Sequence, residues 1–314
     1  PPARAPISTS EPDEALLARL TPPRLDLTQV KVQPEGRIIE QNWFLDLYTL
    51  FHSRDYASFR VVFDASDGSE ARAHVLIPPG PGPHPAFVVF PILAGTHFTA
   101  ELMSKMLVRQ GFATAWLERR PLTLETAQDM DELVEKMRLT ILDARQLLDW
   151  LEQHPRIDAN RLLAGGVSLG SMQAATLAAV DPRIRGALLL LTGGGLPEIL
   201  YDADEPPVRM FRDRMIAKLG LSDRAAFIER LRPLTRLVDP LTWAHRLDPR
   251  RVYMVTGIFD HVLHPARARD LWEALGHPRW RRVPTGHYQS FPFMFSATSA
   301  GVRHLKYQLA EARP

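Results

Sequence analysis

Two short stretches of alternating hydrophobic and polar residues begin the regular pattern of the chain. They span residues 58–64 and 71–77. The Asp67-Gly68 pair between them is typical of a tight turn, so the pattern predicts a β-hairpin. The segment 78–85 that follows is rich in proline. Because proline has no backbone N–H to donate to a sheet, this segment is predicted to be a loop.

From residue 86 onward, short apolar runs alternate with longer segments whose apolar residues recur every three or four positions. The short runs are typical of buried parallel strands and the longer segments of amphipathic helices. Strands are predicted at 86–90, 113–117, 161–165, 186–191, 252–256 and 280–283, and helices at 101–109, 127–153, 169–180 and 297–310. An antiparallel start followed by repeated strand–helix units predicts an α/β fold, with a mostly parallel central sheet and helices on both faces.

Two segments of the chain lie outside this alternation. Residues 1–57 are predicted to be an N-terminal lead-in to a single domain at 58–314, and the proline-rich residues 1–23 are expected to be loosely ordered. The segment 196–247 is longer than a crossover between two strands requires. It carries apolar residues at helical spacing, namely Met210, Phe211, Met215, Ile216 and Leu219. We interpret it as an inserted helical lid.

The composition of the 314-residue chain excludes several classes of protein. Charged residues make up 24% and hydrophobic residues 45%, as in ordinary globular proteins. With 38 Lys and Arg against 36 Asp and Glu, the net charge of +2 is too small to favour a nucleic-acid partner. The absence of cysteine excludes disulfides, cysteine-bound metals and thiol nucleophiles. No apolar run approaches the roughly 20 residues that a membrane span needs.

The composition leaves the compartment and the oligomeric state open. A cytoplasmic location fits, and so does a periplasmic or secreted one if a signal peptide preceded Pro1.

One motif carries recognisable chemistry, the sequence GVSLG at residues 166–170. It lies between a predicted strand and a predicted helix that starts at Leu169. A sharp strand-to-helix turn strains the backbone of its central serine and requires small residues two positions away on either side. Such a turn holds the Ser168 hydroxyl above the sheet, beside the positive end of a helix, where it can act as a nucleophile. The simpler alternative is a glycine-rich helix start with Ser168 as an N-cap.

A serine nucleophile needs a base, and the base needs an acid to orient it. Asp260 follows the predicted strand 252–256, and His287 follows the predicted strand 280–283. Both residues are therefore expected at the edge of the sheet where open α/β folds place their sites. The order Ser168, Asp260, His287 is also the order found in hydrolases whose nucleophile lies on such a turn.

These features make the sequence similar to the α/β-hydrolase superfamily, and in particular to its dienelactone-hydrolase and acetyl-esterase-like branches. The similarity covers about residues 58–313. It rests on four features in order: the proline-rich loop before the strand 86–90, the lead 158–161 into the Ser168 motif, Gly257-x-x-Asp260, and Gly286-His287.

The resemblance implies a serine hydrolase that cleaves a carboxylic ester through Ser168, His287 and Asp260, with no cofactor and no metal. It also implies that the backbone N–H groups of Leu169 and Leu93 form the oxyanion hole. The family usually has His-Gly where this chain has PILAG at 91–95, but backbone donors do not depend on side-chain identity. A small-molecule ester with an apolar portion is the favoured substrate.

Two other functions fit the same residues. One is a peptidase or amidase with the same triad. The other is a non-catalytic ligand-binding protein that retains the fold and the pocket.

Several residues near the predicted site have two interpretations each. His261 is a second candidate for the base. With Asp260 and His264, it also has a spacing that metal ligands can adopt, although a third set of ligands is lacking. His97 either lines the pocket or lies on the surface. The charged run 118–120 either binds a charged substrate group or forms an exposed ion pair.

Overall fold

A computed structural model describes residues 11–37, 39, 41–52, 55–92, 96–120, 124 and 126–311, without the side chain of His52. The strands are Lys31–Pro34 (β1), Ala57–Asp64 (β2), Glu70–Ile77 (β3), His84–Phe90 (β4), Ala113–Leu117 (β5), Ile157–Val167 (β6), Ile184–Leu190 (β7), Val252–Gly257 (β8) and Arg279–Val283 (β9). The helices are Asp13–Arg19 (α1), Trp43–His52 (α2), Phe98–Val108 (α3), Met130–Gln153 (α4), Leu169–Val180 (α5), Leu196–Asp202 (α6), Pro206–Leu219 (α7), Arg224–Thr235 (α8), Pro240–Trp243 (α9), Pro265–Ala274 (α10) and Met294–Glu311 (α11).

Within these described ranges, nine strands form one sheet in the order β1-β2-β3-β5-β4-β6-β7-β8-β9. The pairs β1–β2, β2–β3 and β3–β5 are antiparallel, and every later pair is parallel. The chain leaves β4 toward β5 on one side and returns to β6 on the other. A topological switch point therefore lies between β4 and β6, which is where open α/β sheets bind ligands.

The central strands are apolar on both faces because helices cover both faces. In β4, Val88 and Phe90 belong to one buried cluster, which includes residues of α4 and α5. Phe87 and Val89 belong to a second cluster, which includes residues of α3 and α11. The predicted α/β architecture is thus confirmed, with a mostly parallel sheet between two helical layers.

The predicted lead-in contributes to both the sheet and the core. Strand β1 pairs with β2, so the sheet begins at Lys31 rather than at residue 58. Leu16 and Leu20 have no exposed surface. Leu16 lies in α1 and Leu20 directly follows it, about one helical turn later, so both side chains reach the core. The expectation of a loosely ordered segment is wrong here. Residues 1–10 lie outside the described ranges.

Two arginines of α4 hold the lead-in in place through backbone carbonyls. The guanidinium of Arg138 donates a hydrogen bond to the carbonyl of Arg19 at 2.9 Å. Arg145 donates to the carbonyl of Leu20 at 2.6 Å. These carbonyls belong to the last turn of α1, which has no helical donors of its own. The hydrogen bonds therefore satisfy the helix end and fix it to α4.

The insertion between β7 and β8 contains α6, α7, α8 and α9. Buried Asp239, directly before α9, accepts hydrogen bonds from the N–H groups of Gly195 and Leu241 at 3.1 and 3.0 Å. This carboxylate joins the first residues of the insertion to its last helix. Phe211 and Met215 are buried, whereas Met210 is 56% exposed. Most of the apolar stripe seen in the sequence thus packs inward, and the role of the insertion as a lid stays a prediction.

Among the residues described, no helix is both long enough and apolar enough to cross a bilayer.

We expect Leu16→Ala to lower the free energy of unfolding by about 2–5 kcal/mol, because it removes a fully buried side chain from the core. Leu27→Ala is the control, since Leu27 is 37% exposed and its truncation should change stability by no more than about 0.5 kcal/mol. Chemical denaturation followed by circular dichroism measures both. Equal effects would mean that α1 does not belong to the core.

Candidate active site

The turn between β6 and α5 places Ser168 in a strained conformation at the sheet edge. Its φ of +55° and ψ of −127° lie in a region that residues other than glycine rarely adopt. A Cβ on Gly166 would lie 2.4 Å from the carbonyl oxygen of Gly170, and one on Gly170 would lie 2.4 Å from that of Phe90. Neither site can accept a larger residue without moving the backbone. The spacing of the two glycines around Ser168 follows from these contacts.

Three residues from three separate loops form one hydrogen-bonded chain. Nε2 of His287 lies 3.1 Å from Oγ of Ser168, and Nδ1 lies 2.7 Å from Oδ2 of Asp260. A carboxylate only accepts hydrogen bonds, so Nδ1 carries the proton and Nε2 is left to accept the serine hydroxyl. The arrangement brings together the nucleophile, base and acid that the sequence predicts.

The Asp260 carboxylate is buried and held by backbone donors. The residue is 2% exposed. Its Oδ1 accepts hydrogen bonds from the N–H groups of Val262 and Leu263 at 2.9 and 2.8 Å. Two backbone donors offset the cost of burying the charge and orient Oδ2 toward His287.

The loops that carry Asp260 and His287 are joined to each other. The N–H of Phe259 donates to the carbonyl of Thr285 at 3.1 Å. A Cβ on Gly257 would lie 2.4 Å from that same carbonyl oxygen. Glycine at this position therefore allows the two loops to approach, and the approach brings Asp260 within reach of His287.

One of the two predicted oxyanion donors can be located. Leu169 is the first residue of α5, so its N–H has no acceptor within the helix and lies at the positive end of the helix dipole. Next to Ser168, it can donate to an oxygen that gains negative charge. Leu93 lies outside the described residues, so its predicted role stays a prediction.

Two cavities are lined by residues of the site, one by Leu169 and the other by His287. The smaller, of about 40 Å³, lies against Leu169, and its apolar lining includes Ile92 and Met137. The larger, of about 480 Å³, lies against His287 and is closed on one side by Asp204–Pro206. This three-residue segment connects α6 to α7, so the insertion reaches the site on the His287 side.

The other histidines near Asp260 have separate surroundings. His261 lines the larger cavity, whereas the imidazole hydrogen-bonded to Asp260 belongs to His287. His264 precedes α10, and its Nδ1 accepts a hydrogen bond from the N–H of Ala266 at 3.3 Å. Within the described ranges, no group of three or more histidine and carboxylate side chains is arranged to hold a metal ion.

The charged run 118–120 belongs to a hydrogen-bonded network. Arg120 makes ion pairs of 2.7 Å with both Asp67 and Asp143, and its side chain is only 13% exposed. Glu118 lies 3.1 Å from Nε2 of buried His74. The expected ion pair exists at Arg120, but it is largely buried because the run ends a central strand.

His97 and Arg119 interact at the start of α3. The backbone N–H of Arg119 donates to Nε2 of His97 at 2.9 Å, and its guanidinium donates to the carbonyl of Ile92 at 3.2 Å. These hydrogen bonds connect the end of β5 to both sides of the segment that follows β4. His97 thus has a structural partner that neither of its sequence-based interpretations included.

Glu205 and Tyr288 line the larger cavity, and neither was singled out in the sequence. The pKa of Glu205 is raised above its usual value, because the effect of burial is larger than the opposing effects of nearby His287 and Tyr288. Burial and the negative charge of the nearby Glu205 carboxylate both raise the pKa of Tyr288. The position of Tyr288 directly after His287 was a usable sequence signal. Glu205 had none, because its segment was predicted only as a lid.

No protein-family model and no curated protein matches this chain. Solved structures do. The acetyl xylan esterase from Paenibacillus sp. R4 is 18% identical with a TM-score of 0.65, over 91% of each chain. Acetyl xylan esterase 1 from Thermoanaerobacterium sp. JW/SL YS485 is 17% identical with a TM-score of 0.63, over 91% of this chain and 93% of that one. The alpha/beta hydrolase GrgF from Penicillium sp. sh18 is 16% identical with a TM-score of 0.57, over 81% and 99%.

These similarities show that the chain has the α/β-hydrolase fold, as the motifs in its sequence implied.

We expect Gly170→Ala to lower the free energy of unfolding by about 1–3 kcal/mol, because the new methyl group would collide with backbone atoms that cannot rotate away. Gly301→Ala in α11 is the matched control. Its Cβ would lie 2.4 Å from Cδ1 of Leu188, the end of a flexible side chain. Alanine also favours a helix over glycine by about 1 kcal/mol. We therefore expect Gly301→Ala to be more stable than Gly170→Ala. A Gly170→Ala variant as stable as Gly301→Ala would contradict the proposed steric origin of the motif.

Proposed function

We propose that this protein is a serine hydrolase that cleaves small carboxylic esters through a covalent acyl-enzyme. The observation that carries the proposal is the hydrogen-bonded chain from Ser168 through His287 to Asp260, with distances of 3.1 and 2.7 Å. It lies at the edge of the sheet where α/β folds place their sites. The names of the two similar acetyl xylan esterases agree with ester hydrolysis.

The proposed reaction begins when Ser168 Oγ attacks the ester carbonyl carbon and His287 Nε2 accepts its proton. The N–H of Leu169 donates to the oxyanion, and the sequence-based expectation adds the N–H of Leu93 as a second donor. Asp260 keeps the imidazole in the correct tautomer and stabilises its cation. His287 then gives the proton to the leaving alkoxide and later activates a water molecule, which releases the acid from Ser168.

The cavity beside Leu169 favours a short acyl group. The carbonyl oxygen has to lie near the Leu169 N–H, so the acyl chain extends into the cavity on that side. Its volume is about 40 Å³, which corresponds to roughly three water-sized groups. Its lining combines apolar side chains, among them Ile92 and Met137, with the charged residues 118–120 and Lys136. The apolar part of this lining suits a short hydrocarbon chain such as an acetyl or propionyl group, and this is the apolar portion of the substrate that we propose.

A fluorophosphonate probe tests the nucleophile directly. We expect the probe to label the wild-type protein at Ser168. We also expect Ser168→Ala to abolish labelling and to lower kcat for p-nitrophenyl acetate by about 10⁴-fold or more, because no other group can form the acyl-enzyme. Mass spectrometry of the labelled peptide identifies the site.

Ser222→Ala is the control for this experiment, since Ser222 is an exposed serine on the insertion. It should label and turn over like the wild type. A wild-type protein that binds esters but neither labels nor hydrolyses them would instead favour the non-catalytic binding protein.

Asp260→Asn tests the acid. We expect kcat to fall by about 10³–10⁴-fold, because an amide can donate to Nδ1 and thereby stabilise the wrong imidazole tautomer. The melting temperature, measured in parallel, shows that the fold persists. Asp248→Asn serves as the control, because Asp248 pairs with Arg250 on the surface. Near-normal turnover of Asp260→Asn would assign the acid to another residue.

A further inference from the structure

The larger cavity has walls from three separate segments of the chain. They are the α6–α7 connection (Asp204–Pro206), the loop after β8 (259–262) and the loop after β9 (286–289). Its volume of about 480 Å³ falls in the range of about 300–1,000 Å³ that is typical of small-molecule pockets. Of these wall residues, the proposed reaction uses only His287.

The position of this cavity determines which portion of an ester it can hold. In the proposed reaction, His287 returns its proton to the oxygen of the departing alcohol, so the alcohol has to lie against His287. The carbonyl oxygen lies against Leu169, on the side of the smaller cavity. The 480 Å³ cavity is therefore the space available to the alcohol portion of the substrate.

The carboxylates on the described part of the cavity walls are not balanced by a lysine or an arginine. Asp204 and Glu205 both line it, and among the described residues that line it there is neither Lys nor Arg. Burial raises the pKa of Glu205 because its carboxylate loses solvation. A carboxylate that has lost water gains more from an approaching cation than an exposed one does.

Two aromatic rings are presented next to these carboxylates. Phe259 is 59% exposed and Tyr288 is 71% exposed, and both line the cavity. Burial raises the pKa of the Tyr288 phenol, and Glu205 lies close enough for its negative charge to raise that pKa further. Both residues line this cavity. The face of an aromatic ring attracts cations, and an alkylammonium group also covers apolar surface that is otherwise exposed to water.

We propose that this cavity binds the alcohol portion of the ester and selects alcohols that carry an alkylammonium group. Glu205 supplies the countercharge, and the rings of Phe259 and Tyr288 supply the cation–π surface. The assignment to the alcohol rests on the proposed ester hydrolysis. The preference for a cation rests only on the walls of the cavity, and can therefore be measured without turnover.

Choline and its neutral isostere 3,3-dimethyl-1-butanol provide the test, because they share size and shape and differ only in charge. We expect the wild-type protein to bind choline with a Kd at least about tenfold lower than that of the isostere, since each factor of ten needs only about 1.4 kcal/mol. NMR titration of the full chain measures both constants. Glu205→Gln should reduce the ratio of the two constants to within about twofold.

Asp213→Asn is the matched control, because it removes an exposed carboxylate from α7 of the same insertion, where Asp213 pairs with Arg212. It should leave the ratio at the wild-type value. Equal affinities of wild type for the two alcohols would overturn the proposal. A large ratio that persists in Glu205→Gln would overturn it too, because the cation would then bind elsewhere.

The acetate esters of the same two alcohols distinguish this proposal from the proposed function. We expect kcat/KM to favour acetylcholine over 3,3-dimethylbutyl acetate by about tenfold or more, and Glu205→Gln to remove that preference. The ratio cancels any general effect of the substitution on turnover. If neither ester is hydrolysed and Ser168 is not labelled, the proposed hydrolysis is wrong, and the binding ratio alone still decides the cation preference.

Discussion

The first turn of α5 lies against the end of β4 at a distance that admits no side chain between them. Gly170 faces the carbonyl oxygen of Phe90, and a Cβ there would lie 2.4 Å from it. This contact places the N-terminus of α5 at the switch point of the sheet. The strained backbone of Ser168 and the position of the Leu169 N–H both follow from it. The other members of the site only have to reach this point, which they do from the ends of β8 and β9.

The features of the site that could be predicted from sequence are those encoded locally. The five residues GVSLG include both glycines that the sharp turn at Ser168 requires. Asp260 follows the strongly apolar strand β8, and His287 follows the predicted strand β9, which is rich in arginine. The edge on which both lie was therefore predictable. Their contact depends on backbone packing between two loops, and the sequence indicates it only through Gly257. The two cavities could not be predicted, because segments more than 50 residues apart form the walls of the larger one.

Helices and strands whose burial produces a regular spacing of apolar residues could be predicted from the sequence. Elements without such a spacing were missed. The helix predicted at 127–153 is observed as Met130–Gln153, because one face of it is buried along its whole length. Strand β1 was missed because all four of its residues are exposed and one is proline. Strand β6 begins earlier than predicted, at Ile157. Ile157 is buried and pairs with His84, but residues 158–161 are mostly polar and not fully buried, and the pairing resumes only at Leu162.

The insertion is held together at its base and reaches the site at its α6–α7 connection. Asp239 joins the two ends of the insertion through backbone hydrogen bonds, and Asp204–Pro206 lines the cavity beside His287. The smaller cavity, by contrast, is formed by the strand ends and by α4 and α5, which belong to the sheet and its helical layer. In the proposed reaction, the acyl group therefore meets the central architecture of the fold, and the alcohol meets the inserted segment. A change in the α6–α7 connection can alter the alcohol that is accepted without moving Ser168 or its oxyanion donor, because no member of the Ser168–His287–Asp260 chain lies on that connection.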